Sequence, residues 1–208
     1  MTDDQTQSLH DDIAYMRAMA QEGRNAPLLS GPIMVAAGII FGTASLAQWS
    51  IQTGIVDVSP WAQLWVWVAS GAAFGVALSV LIRRLNTKPG ARSAGNKAVG
   101  AAWTGVGFGI FAMWAAFMAV GLTSGSWEMM RAMPIVVFAA YGSAWFVGGT
   151  MAGVKWMNWV AMLSYAGAVL LGVFSTSPHL LLIYAVMLVL VALLPRLALM
   201  RQEPAEVV

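Results

Sequence analysis

Six runs of about 20 apolar residues, separated by short polar stretches, dominate the chain. A run of that length crosses about 30 Å of hydrocarbon at about 1.5 Å rise per residue, so each predicts a membrane-spanning helix. The runs cover about 29–50, 60–82, 99–122, 132–153, 156–175 and 179–200, and none has a charged residue near its centre. Two begin with Ser59-Pro60 and Ser177-Pro178, which place a hydroxyl at the N-cap and a proline at the first helical position, where a missing N–H is harmless. Pro195 lacks the N–H that would reach the Val191 carbonyl, and predicts a kink or an end near the close of the sixth run.

Ahead of the first run the periodicity changes. Leu9, Ile13, Met16 and Ala20 recur on one helical face, and Ser8 with Asp11 resembles a capping box, predicting a short amphipathic helix over 8–23. Residues 1–26 hold five acids and two arginines, whereas a helix lying on an anionic inner leaflet is usually basic. Its apolar stripe is therefore expected to dock on protein, with the basic loop 83–98 as the facing surface. The segment has neither the basic start nor the early apolar stretch of a secretory signal, so none is expected. The expected fold is an all-α polytopic membrane protein. A cytoplasmic segment 1–26 carries the amphipathic helix, a six-transmembrane-helix bundle occupies 27–200, and 201–208 form a cytoplasmic tail.

Composition agrees and adds a restriction. Of the 208 residues 59% are hydrophobic and 10% charged, against roughly 45–50% and 25% in an average soluble domain. Too little charge is available to wet the surface of a water-soluble globule. The net charge of +2 takes its meaning from placement: with the N-terminus inside, ten of the 11 basic residues fall on the cytoplasmic side and only Arg131 outside. The excess thus reports topology, and nucleic acid is not an expected partner. This pattern, with no Asn-x-Ser/Thr sequon, suits the bacterial inner (plasma) membrane with both termini cytoplasmic.

Within the runs, small residues four apart recur as Gly38/Gly42, Gly71/Gly75, Gly105/Gly109 and Gly149/Gly153, and as Ser164/Ala168/Gly172. Lipid offers little hydrophobic drive for helix association, so these ridges are the expected sites of helix packing. The sixth run has no such glycine pair and is expected to face lipid, a partner or a second copy of the chain. Gly105, Gly107 and Gly109 lack the strand and soluble context of a dinucleotide loop.

Candidate chemistry is sparse. The chain has no Cys and two His, which removes disulfides, thiol nucleophiles and Cys/His metal spacing, and no cofactor is expected. An ionisable group at the bilayer centre would be a functional site by default, and the runs contain none. What they contain is neutral: hydroxyls and amides that serve as hydrogen-bonding glue, and aromatics at depth. Trp67, Trp114, Tyr141 and Trp145 are the candidates for lining a cavity that takes an apolar, aromatic or cationic molecule. His179, Asp57, Glu128 and Arg131 share one side but show no catalytic spacing, and Glu128/Arg131 at i, i+3 reads as a local ion pair. The expected function is that of a non-enzymatic multipass inner-membrane protein that acts by binding, as an accessory, regulatory or scaffold subunit. Its partners are the lipid bilayer and a protein or second copy met through helix six or the N-terminal helix. The alternative is a small transporter or channel for a neutral or hydrophobic solute.

Overall fold

The computed structural model describes residues 10, 12–16, 31–59, 61–88, 90–91 and 93–195. Among these the chain is helical, without a strand. Most of the expected amphipathic helix over 8–23, and all of 196–208, lie outside the described residues; those at 12–16 are helical and exposed. We label the helices α1 (Gly31–Gln52), α2 (Trp61–Leu85), α3 (Ala94–Ser124), α4 (Met133–Ala152), α5 (Lys155–Val173) and α6 (Leu180–Leu188). A 3₁₀ turn, Glu128–Ala132, leads into α4, and a π-helical turn, Val189–Leu193, continues α6. The five helices α1 to α5 are long and apolar enough to cross a membrane, whereas the apolar stretch Leu180–Leu193 is shorter.

Local chemistry explains where these helices begin and end. α3 starts at Ala94, before the apolar run begins, because Ser93 caps it: the Ser93 Oγ accepts the Asn96 N–H at 3.3 Å. Apolarity marks the hydrocarbon, and a capped helix extends past it. The cap expected from Ser177-Pro178 is not formed: α6 begins at Leu180 with His179 at its N-cap, and the Ser177 hydroxyl instead accepts the His179 N–H at 3.1 Å in the turn ahead of the helix. α4 and α5 join through Gly153, whose φ of +69° suits glycine and whose N–H returns to the Gly149 and Thr150 carbonyls. Gly153 therefore serves the turn, while Gly149 serves the packing described below.

Pro195 acts earlier in the chain than expected. It remains helical, and the turn before it is widened, with the Leu194 N–H bonded to the Val189 carbonyl at i−5. A proline ring crowds the carbonyl four residues back, here that of Val191. Opening one turn to π geometry relieves the crowding ahead of the proline.

α4 pairs most extensively with α5 and also carries α3, while α1 carries α2 on one side and α6 on another. The core gathers where α1, α4, α5 and α6 meet, around Phe138, Met157, Leu171, Leu188 and Val191. The sixth helix was expected at the margin and instead lies within: Leu180, Tyr184, Ala185, Met187 and Leu188 are buried. Having no glycine ridge of its own, it supplies large side chains to the ridges of others. A Cβ on Gly38 of α1 would lie 3.1 Å from Leu193, and one on Gly167 of α5 would meet Met187 and Phe138.

The same contact recurs between α4 and α5. The Tyr165 ring covers Gly142, and Met157 with Asn158 covers Gly149. The Tyr165 hydroxyl also reaches the Ser143 hydroxyl at 3.1 Å. Gly71, Gly75, Gly105 and Gly109 differ, since among the described residues nothing from elsewhere in the chain comes within 4 Å of a Cβ built on them, and this also holds for the buried Gly42. α2 has no buried residue at all.

Gly142→Ala is expected to cost about 1–3 kcal/mol, because the new methyl collides with the Tyr165 ring. Gly105→Ala should stay within about 0.5 kcal/mol of the parent, as a surface change without a new contact does. Thermal unfolding of the two variants in detergent compares them; equal melting temperatures would contradict the assigned packing.

Candidate functional site

α4 presents Phe138, Tyr141 and Trp145 at i, i+3 and i+7, a spacing that aligns them on one helical face. Three neighbouring helices add rings to that face. Trp103 of α3 meets Tyr141 at 5.2 Å and Trp145 at 5.7 Å between ring centroids, both edge-on. Tyr184 of α6 meets Phe138 at 5.5 Å, and Trp156 of α5 meets Trp145 at 6.3 Å. Edge-to-face pairs place positive ring edges on negative ring faces and contribute about 0.5–1.5 kcal/mol each beyond their area. Phe138, Tyr141, Trp145 and Tyr184 are all buried.

Two of the four expected cavity residues, Tyr141 and Trp145, thus come together, and they do so by packing against other rings. The other two lie elsewhere. Trp67 is half-buried on α2, and Trp114 is partly exposed on α3, its ring 5.8 Å from that of Phe111. Trp103, Trp156, Phe138 and Tyr184, which complete the cluster, are not among the four expected cavity residues. The i, i+3, i+7 spacing on α4 is the signal that identifies the face.

The cluster is incomplete in one respect. Among the described residues, the indole Nε1 atoms of Trp145 and Trp156 and the amide Oδ1 of Asn158 are buried without a hydrogen-bond partner, as is the Gln48 Oε1 on α1. Leaving such a group unpaired costs about 1–3 kcal/mol. Elsewhere in the spans the hydroxyls satisfy themselves locally: Ser45, Ser70, Thr104, Thr150 and Ser164 each bond the carbonyl four residues back at 2.6–2.8 Å.

At the opposite ends of the helices a second polar group ties α1 to its neighbours. The Gln48 amide donates to Gln63 of α2 at 2.9 Å, and the Trp49 indole donates to the His179 Nδ1 at 3.2 Å. The latter bond requires the imidazole to keep Nδ1 unprotonated. Arg131 donates to the Thr176 carbonyl at 3.3 Å, not to Glu128, so the expected local ion pair gives way to a contact between loops. Among the described residues no three of His, Asp and Glu gather where they could hold a metal ion.

α2 carries an open groove of about 390 Å³, lined by Ala72, Gly75, Val76, Ser79, Val80 and Arg83. All six belong to α2, so the groove is a shallow trough along one helix and contains none of the clustered rings.

The chain matches no protein-family model, no curated protein and no solved structure. Its chemistry is therefore read from its own geometry: a buried ring cluster with unused hydrogen-bonding atoms, a polar tie at the other end, and a helix with an open face.

Trp145→Ala should destabilise the protein by about 3–5 kcal/mol, as loss of a large buried ring does. Trp114→Ala, at a ring 38% exposed, should cost less than half as much. Chemical denaturation in mixed micelles measures both, and a larger loss for Trp114→Ala would refute the cluster as the packing centre.

Proposed function

We propose that this protein is a non-enzymatic multipass protein of the bacterial inner membrane that acts by binding another membrane protein, as an accessory, regulatory or scaffold subunit. In this reading the Leu180–Leu193 stretch forms, with the residues after it, a sixth span beside the five longer helices. Both termini and the basic residues Arg83, Arg84, Lys88 and Lys155 lie on the cytoplasmic side, as the excess of basic charge in those loops supports.

The observation that carries the reading is α2. It contacts α1 and buries no residue, yet it bears Gly75 and Ser79 along an open groove, with Gly71 one turn before them. Small residues at this spacing let a helix backbone approach closely, the main means of association in lipid. Among the described residues that capacity goes unused. The transport alternative draws on the rings expected to line a cavity. Tyr141 and Trp145 are engaged with Trp103, and Trp67 and Trp114 sit on other helices, which favours binding over transport.

The absence of native cysteine makes a direct test simple. A benzophenone probe attached to Ala72→Cys, irradiated in the native membrane, is expected to give one discrete protein adduct. Gly75→Leu, which fills the groove, should abolish it, and a probe at the exposed Val169 of α5 should label lipid alone. Lipid adducts alone at residue 72, or a protein adduct indifferent to Gly75→Leu, would overturn the reading.

A further inference from the structure

Trp49 and His179 lie 130 positions apart in the chain and are joined by one hydrogen bond, the indole N–H donating to the imidazole Nδ1 at 3.2 Å. That bond ties the last turn of α1 to the residue at the N-cap of α6. His179 is exposed, so protons reach it from solvent, while Trp49 is half-buried. The same loop is held from another side by Arg131, which donates at 3.3 Å to the carbonyl of Thr176, three residues before His179.

The contact works in one protonation state only. A neutral imidazole with its proton on Nε2 offers Nδ1 as an acceptor, whereas imidazolium carries a proton on both nitrogens and can only donate. Protonation therefore sets one N–H against another. Cation–π attraction does not replace the lost bond. A cation is drawn to the face of a ring from within about 6 Å of its centre, and an indole that donates from Nε1 turns its positive edge to its partner. Here the ring centroids are 6.2 Å apart and the planes are inclined at 50°. Two further positive charges act in the same direction: the Arg131 guanidinium on the loop, and the N-terminal end of the α6 dipole. The other charged side chains at this end are Asp57 after α1 and Glu128 before α4. α1 has no charged residue, and those of α2 and α5 lie at their opposite ends. Among the described residues no carboxylate pairs with His179.

We propose that the Trp49–His179 contact is a pH-dependent latch, closed while the imidazole is neutral and opened by its protonation, which releases the start of α6 from the end of α1. Histidine is the side chain whose charge ordinarily changes between about pH 5 and pH 8, so the latch holds at the upper end of that range and is lost as the pH falls. Loss of one such hydrogen bond corresponds to a change of about 2- to 10-fold in the ratio of closed to open forms. In the proposed topology this end faces away from the cytoplasm and samples the external pH, but the chemistry of the contact is the same on either side.

The test uses the full chain in nanodiscs with spin labels on Gln52→Cys at the end of α1 and Thr176→Cys ahead of α6, both exposed positions in a chain without native cysteine. The distance distribution between the labels is expected to be narrow at about pH 8 and to gain a longer-distance population, about 2- to 10-fold larger relative to the closed one, at about pH 5. His179→Gln supplies an acceptor that does not titrate and should keep the narrow distribution at both pH values. Trp49→Phe keeps a ring without the donor and should show the longer population at both. Asp57→Asn and Glu128→Gln should leave the pH response of the parent unchanged. Identical distributions at both pH values, a response that survives His179→Gln, or a response removed by Asp57→Asn or Glu128→Gln would overturn the proposal. Because His179 is exposed, the His179→Gln arm stands even where Trp49→Phe fails to fold. None of these results depends on the α2 groove, so the latch and the binding reading stand or fall separately.

Discussion

In hydrocarbon there is no water to solvate a charge or an unpaired peptide group, and most features of this chain follow from that one constraint. Backbone groups must be paired within each segment, which makes the spans helical. Charges must sit at the ends, as they do: the helices carry Arg83, Arg84, Lys97 and Lys155 near their termini and none at mid-length. Hydroxyls turn back on the carbonyl four residues away, so side chains such as Ser45 and Ser164 are fully buried without crossing to a neighbour.

The same constraint decides how the helices hold together. Since lipid tails are as apolar as Leu, contact between helices has to come from shape. The solution repeated here sets a large side chain against a glycine: Tyr165 on Gly142, Leu193 on Gly38, Met187 and Phe138 on Gly167. Aromatic rings then fill the space between α3, α4, α5 and α6, with Trp103 edge-on to both Tyr141 and Trp145. Where glycines have no such counterpart, on α2 and along the middle of α3, the helix stands at the margin of the bundle and its small residues remain open.

Much of this was legible in the sequence, and the rest depends on partners that a sequence does not name. Apolar length located the helices, while the helix after Ser177-Pro178 starts later than that pair suggested, at Leu180. Glycine spacing showed which residues permit close approach but not which receive it: Gly38/Gly42 and Gly105/Gly109 look alike, yet only Gly38 meets a neighbour's side chain. The sixth helix was misplaced for the same reason, because its lack of small residues suggested the margin when its Leu and Met side chains fill ridges on α1 and α5. Ring geometry was hidden in a similar way. Tyr141 and Trp145 share a helical face with Phe138, but whether those rings line a space or pack against others depends on Trp103, a residue about 40 positions earlier in the chain.

In the proposed reading, alternating crossings put the basic loops on one side of the membrane, with the charges of the described helices at their ends. Because the chain has no native cysteine, single cysteines at Thr87, Ser126 and Thr176 can be probed with a membrane-impermeant thiol reagent. The account predicts that intact spheroplasts label positions 126 and 176 and leave 87 untouched until the membrane is opened. Labelling of position 87 together with position 126 in sealed spheroplasts would mean that α3 does not cross, and would contradict the account.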